Sequence, residues 1–281
     1  MRPAMHPVML KSAPRKFVRP LEPGRFVLGR ERFARISAVA GVTLTAEMGE
    51  VMDRFEREGL SVVARRQAIR RRFALSGRAS SFANGLATGA NQDGSCDPYC
   101  YPGASVLKNR LGLRGQAELA AFEAFITAQR GEEPLPRGPL GSFHYRAIHH
   151  HLFCDVFAWA GKLRTARLAK GGSLFCAPEH INGALQKLFA RLRTDRFLRN
   201  QSANEFARRS AEFLAALNAI HPFRDGNRRA QLAYFAFLAA RAGHPLALQR
   251  MKPDAMLAAM VASFKSDEAP LAALIEGLIE R

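Results

Sequence analysis

The chain has 281 residues and 48% hydrophobic content, enough for a sizeable core, and no apolar run approaches the ~18 residues that a membrane-spanning helix needs. Four scattered cysteines exclude a disulfide scaffold, and the opening residues lack the apolar segment of a cleaved secretory signal; the cytoplasm is the expected compartment, with signal-independent export left open. A net charge of +18 favours an acidic protein, nucleic acid or an anionic surface as partner, and residues 1–82 carry 17 Lys/Arg against 7 Asp/Glu.

Residues 1–30 are basic and Pro-rich without a steady period, and read as a flexible arm. A small helical region is expected over 31–75. Thr45 can cap a helix carrying Met48, Val51, Met52 and Phe55, which Gly59 stops. Ser61 can cap a second, running from Val62 to Leu75 and covered by Arg65, Arg66, Arg70, Arg71 and Arg72. Two such helices make a poor core alone and should dock on something larger. Residues 76–96, rich in Gly, Ser, Asn and Ala, read as a flexible linker.

The remainder, 97–281, reads as one compact helical domain. Leu107 and Leu111, flanked by Lys108 and Arg110, suggest a short amphipathic helix. A longer helix presents Leu119, Phe122, Phe125 and Ile126, and three prolines between Gly131 and Gly141 mark a loop. The next helical run, 142–160, carries Ile148, Leu152, Phe153, Val156 and Trp159. Its triplet His149-His150-His151 is read as packing, because adjacent helix positions point about 100° apart and cannot share one metal ion. Lys170-Gly171-Gly172-Ser173 between extended flanks suits a short β-hairpin with an exposed edge. Helices are expected over 178–192, from Ser202 through Phe206, Phe213, Leu214 and Leu217, from Leu232 through Leu238 to the stop at Gly243, and over 256–264 and 271–279.

The two middle helices enclose His221-Pro222-Phe223-Arg224-Asp225-Gly226-Asn227-Arg228-Arg229-Ala230-Gln231-Leu232. Pro222 breaks the first helix, and Asp225-Gly226-Asn227 is turn chemistry leading into the second. Free N–H groups of a helix's first turn make an anion site, to which Arg228 and Arg229 add charge. Gly226 allows close backbone approach to a ligand. Asp225 is a hard oxygen donor suited to Mg²⁺ between phosphates, and His221 titrates near neutrality and can take a proton from a hydroxyl.

This stretch resembles the signature loop of the Fic/Doc (Fido) family, His-x-Phe-x-Asp/Glu-Gly-Asn-Gly-Arg-x-x-Arg. His221, Phe223, Asp225, Gly226, Asn227 and Arg229 match it at the right spacing. Arg228 stands where adenylylating members have glycine, and Leu232 where they have the last arginine; both resemble the Doc branch. The resemblance extends to residues 97–112 and to Leu152–Gly161. It implies an all-α Fido-type bundle with a small β-hairpin flap, whose Lys170, Gly171, Gly172 and Ser173 would align a target's backbone by strand addition.

It further implies an ATP- and Mg²⁺-dependent transferase acting on a protein Ser, Thr or Tyr hydroxyl. His221 would be the base, Asp225 would hold the metal, and Phe223, Gly226, Asn227, Arg228 and Arg229 would bind the nucleotide. AMP transfer is the first expectation; Doc-like phosphoryl transfer and a catalytically inactive Fic-fold binding module are the alternatives. Residues 33–73 loosely resemble the helical antitoxins that accompany some Fic proteins, but their Ser/Thr-x-x-x-Glu-Gly/Asn motif is missing: Glu58-Gly59 has Arg54 at the hydroxyl position.

Overall fold

The computed structural model describes residues 26–81, 97–170 and 173–280. Its architecture is helical: α1 (Arg30–Val39), α2 (Ala46–Arg57), α3 (Val62–Ser81), α4 (Gln116–Gly131), α5 (Ser142–Phe153), α6 (Pro178–Thr194), α7 (Ala203–Ile220), α8 (Asn227–Ala242), α9 (Pro253–Phe264) and α10 (Ala269–Leu278). Two short strands, β1 (Ala169–Lys170) and β2 (Ser173–Leu174), pair antiparallel in the register Ala169–Leu174 and Lys170–Ser173.

The caps explain where several helices begin and end. The Oγ of Ser202 accepts the Glu205 N–H at 3.2 Å to start α7, and that of Thr45 accepts the Met48 N–H to start α2. Gly243, at φ +92°, closes α8 in a left-handed conformation that suits glycine. Between these ends α8 is buried on nearly every side, as a central helix must be, and packs on α5, α1 and α7. Helix α10 lies against α7 and α9, and α6 against α7.

The N-terminal helices are built into this bundle. Phe33, Ile36 and Val39 of α1 are buried where it meets α8, α4 and α9, and the Phe33 ring sits so close to Gly131 that a Cβ there would lie 2.5 Å from it. Helix α3 packs on α4 through Ile69 and Phe73, with the Phe73 and Phe122 rings 5.4 Å apart. Its arginines turn toward acids: Arg65 pairs with Glu132, Arg66 with Glu133, Arg70 with Asp155 and Arg72 with Glu47. Three of these arginines, Arg65, Arg66 and Arg70, are thus matched by acids outside the N-terminal region, while Arg72 and Glu47 pair at the surface.

Four expectations need correction. The arm does not run to residue 30: Phe26 packs edge-on to Phe237, Leu28 is buried, and the Gly29 N–H donates to the Gly131 carbonyl at 3.0 Å; residues 1–25 lie outside the described residues. The linker begins later, because α3 continues to Ser81, while 82–96 lie outside the described residues. Residues 106–112 form a loop instead of a helix. Asn109 competes with helical bonding there, its Oδ1 accepting the Leu111 and Leu113 N–H groups and its Nδ2 donating to the Leu107 and Leu113 carbonyls. Finally, α5 ends at Phe153, and Val156, Phe157 and Trp159 pack from the turn that follows, with the Phe157 and Trp159 rings stacked at 4.4 Å.

Candidate active site

Helix α7 ends in an unusual way. His221 is its C-cap at φ +46°, ψ +61°, a left-handed conformation rare for a residue with a side chain, and its N–H reaches the Leu217 carbonyl at 3.2 Å. The imidazole stacks on Phe175 with ring centroids 3.9 Å apart and planes 14° from parallel. Its Nδ1 is buried and makes no hydrogen bond of regular geometry, and the Asn218 backbone lies near the ring. Burial, then the Arg164 guanidinium and more weakly Arg228, push its pKa down to about 4, against smaller opposing pulls from the Asn218 backbone and, more weakly still, from Asp225. At neutral pH the ring is uncharged and able to accept a proton.

The loop after His221 is tied from inside. Both amide atoms of Asn227 are engaged with Phe223: Oδ1 accepts its N–H at 2.9 Å and Nδ2 donates to its carbonyl at 2.8 Å. The Phe223 ring is buried and stacks on His149 at 3.7 Å. His149 Nδ1 accepts the Gly161 N–H, so its Nε2–H donates to the Asp225 carbonyl at 2.9 Å; burial pushes its pKa down to about 3 and keeps it neutral. His150 donates instead to the Ala160 carbonyl and His151 to that of Arg130, so the triplet points three ways. Gly226, at φ +76°, lies against the Phe153 ring, and α8 starts immediately after it.

The charged residues of the loop separate by direction. Arg229 is buried, ion-paired with Glu123 and set over the Phe153 ring at 4.6 Å. Arg224 forks onto Asp97 at 2.6 and 2.8 Å; burial alone would raise the Asp97 carboxyl, but Arg224 and the Tyr99 N–H outweigh it and hold the pKa below the usual value. Arg228 is half-buried at the start of α8, and one of its N–H groups donates to the Val39 carbonyl at the end of α1 at 3.1 Å. Asp225 is exposed; its Oδ1 accepts the Gly226 N–H at 2.6 Å, leaving Oδ2 free.

His221 and two of the charged residues that act on it, Asp225 and Arg228, thus lie together with the first-turn amides of α8 at what can be called the loop's mouth, while Phe223, Asn227 and Arg229, expected as ligand contacts, direct their side chains into the scaffold. The hairpin joins this mouth at its base: the Cys176 N–H donates to the Ala219 carbonyl at 3.1 Å. Of the expected flap residues, Lys170 and Ser173 pair through their backbones, while Gly171 and Gly172 lie outside the described residues. Sequence reasoning missed Glu123, Arg164 and Phe175 and left His149 as packing; their partners are distant in the chain. A separate cavity of about 620 Å³ opens beside Phe143, Arg146, His150, Cys154 and Lys162 and includes no loop residue.

Comparison with known proteins agrees with this loop. The model of the Fic/DOC family matches residues 139–239, from the start of α5 through most of α8. A probable protein adenylyltransferase, y4lH of Sinorhizobium fredii, is 46% identical over 184 residues, which cover 65% of this chain and 96% of that protein. The chain belongs to the Fic/DOC family. The protein adenylyltransferase VbhT of Bartonella schoenbuchensis is 34% identical over 186 residues, 65% of this chain and 39% of VbhT. Among solved structures, BepC of Bartonella tribocorum with bound AMPPNP superposes with a TM-score of 0.58 at 25% identity, covering 65% of this chain and 96% of that one. The all-helical Fic fold is thus shared, and the mouth described above is formed by its signature loop.

Proposed function

We propose that this Fic protein transfers AMP from ATP to a hydroxyl of another protein. The observation that carries the reading is the shared mouth: a neutral His221 beside a free Asp225 oxygen and a helix N-terminus without a side-chain cap. Relatives named protein adenylyltransferases, one at 46% identity, support a transferase of this type, and the AMPPNP held by BepC supports ATP as donor.

In this reading a Ser, Thr or Tyr oxygen attacks the α-phosphorus, pyrophosphate leaves, and the hydroxyl proton passes to His221. Because Nδ1 is the buried nitrogen, Nε2 accepts the proton and Nδ1 carries the hydrogen of the neutral ring. The first-turn amides of α8 and the remaining N–H groups of Arg228 would hold the phosphates. Magnesium fits Asp225, whose spare oxygen is exposed at the mouth, and would there neutralise phosphate charge. The exposed edges of Ala169–Lys170 and Ser173–Leu174 would seat the target by strand addition, with an acidic or nucleic-acid-associated protein favoured by the net charge. We assign this work to residues 97–281, with 31–81 as a covering layer and the cytoplasm as the site of synthesis.

The test uses α-³²P-ATP and γ-³²P-ATP in separate reactions with lysate and magnesium. Protein labelling from the α-phosphate alone, lost in His221→Ala, is expected. Labelling from the γ-phosphate alone would replace the reading with phosphoryl transfer, which Arg228, standing in a glycine's place, makes the natural alternative. No labelling from either would leave a binding module.

A further inference from the structure

Arg164 is the largest fully buried side chain of the chain's described residues, and it has no carboxylate partner among the described ion pairs. Its guanidinium is given over to backbone carbonyls. Nε donates to His221 at 2.8 Å, one terminal nitrogen donates to Ala166 at 2.7 Å, and the other donates to Cys176 at 2.5 Å and reaches Ile220 at 3.4 Å. Its backbone N–H donates to the Pro222 carbonyl at 2.9 Å.

These acceptors belong to three chain segments: the entry to the hairpin (Ala166), the exit from it (Cys176), and the end of α7 with the start of the signature loop (Ile220, His221, Pro222). We propose that Arg164 is a positioning residue that binds the stem of the hairpin and the His221 carbonyl into one unit, so that a seated target and the base serving it keep a single relative placement. This rests on the roles given above to His221 and the hairpin.

Three observations lead there. A buried cation without an anion is expensive, so a cheaper neutral residue would serve a purely structural filler. The carbonyl it grips belongs to the residue held at φ +46°, a conformation that persists only where its surroundings impose it. A second contact repeats the same link, since Phe175, next to Cys176 and itself donating its N–H to the Leu168 carbonyl at 3.2 Å, provides the face on which the imidazole lies. The charged groups acting on that imidazole are Arg164, Arg228 and Asp225; of these Arg164 alone also holds the hairpin.

The test compares the full-length protein with Arg164→Lys, which keeps the charge but loses the planar fork. ATP affinity, set at the start of α8, is expected to stay within twofold, while transfer under saturating ATP falls at least tenfold and the His221 ring resonance splits or broadens. An unchanged transfer rate together with an unchanged His221 resonance overturns the proposal. Amide exchange in the wild-type protein gives a reading that needs neither activity nor a folded variant. The N–H groups of Cys176 and His221 are expected to open together, and protection differing by more than tenfold between them also overturns it. If wild-type protein transfers no label, the proposed activity fails, while resonance and exchange still decide whether Arg164 couples the two segments.

Discussion

Gly226→Ala offers a sharp test of how the signature loop is held. A Cβ at this position would lie 2.5, 2.6 and 3.0 Å from the Cζ, Cε2 and Cε1 atoms of Phe153, the first two closer than Cβ atoms come. The backbone would also have to keep φ +76° with a side chain present, which costs roughly 1–2 kcal/mol. Overpacking a tight site adds about 1–3 kcal/mol, so the loss of stability should be about 2–5 kcal/mol in urea unfolding. Phe153→Leu removes the three clashing atoms. The double variant should therefore be more stable than the sum of the single changes allows, by about the overpacking share of 1–3 kcal/mol, leaving only the backbone cost. Loss of less than about 0.5 kcal/mol in Gly226→Ala, or simple additivity in the double variant, would refute the account of this glycine as a packing requirement.

Glu123→Ala leaves the Arg229 guanidinium buried and unpaired and should cost about 3–5 kcal/mol in the same assay, whereas Glu123→Leu with Arg229→Met should recover most of that loss. His149, His151 and His221 all have pKa values pushed below the ordinary one by burial, to about 3, 4 and 4. Unfolding releases them to take up protons near pH 6.5, so their contribution is whole above that pH and is lost as pH falls toward 4. Urea midpoints at pH 7 and pH 5 should differ accordingly, with His151→Gln reducing the difference; a flat profile would contradict the burial of these rings. Asp225→Ala should weaken ATP binding at least tenfold in the presence of magnesium and leave magnesium-free binding unchanged, as read by calorimetry with and without the metal.

What could be read from the sequence depended on how local the cause was. Ser202, Thr45 and Gly243 act within a turn of their own helices, and each caps where its residue type says it should. The signature loop is twelve consecutive residues, so its membership and its helix–loop–helix setting were equally legible. The direction of each side chain within that loop was not. Arg229 pairs with Glu123 on α4, and Phe223 rests on His149 of α5; no pattern of nearby residues announces either contact. The same holds for α1, which begins after an uncapped Gly29 and owes its place to packing against α4, α8 and α9. At 106–112 two local signals compete: the spacing of Leu107 and Leu111 suggests a helix, while the side chain of Asn109 makes four loop contacts that win.

The loop thus divides its residues between those that anchor it and those left at its mouth. Phe223, Gly226, Asn227 and Arg229 shape the turn and anchor it, and their substitution acts first on stability. His221 and Asp225 remain available at the mouth. Arg228 belongs to both groups. One of its N–H groups holds the Val39 carbonyl at the end of α1, yet a guanidinium carries five such donors in a planar fork, so the rest can meet a phosphate without breaking that bond. A charged hydrogen bond of this kind contributes on the order of 1.5–3 kcal/mol, enough to keep α1 and the start of α8 in register. The N-terminal layer therefore touches the start of α8 through the Arg228 side chain and a backbone carbonyl of α1. Since a carbonyl cannot be replaced by changing the residue at 39, the contact responds to the position of α1 as a whole, and it is through that helix, not through a single acidic side chain, that this layer bears on Arg228.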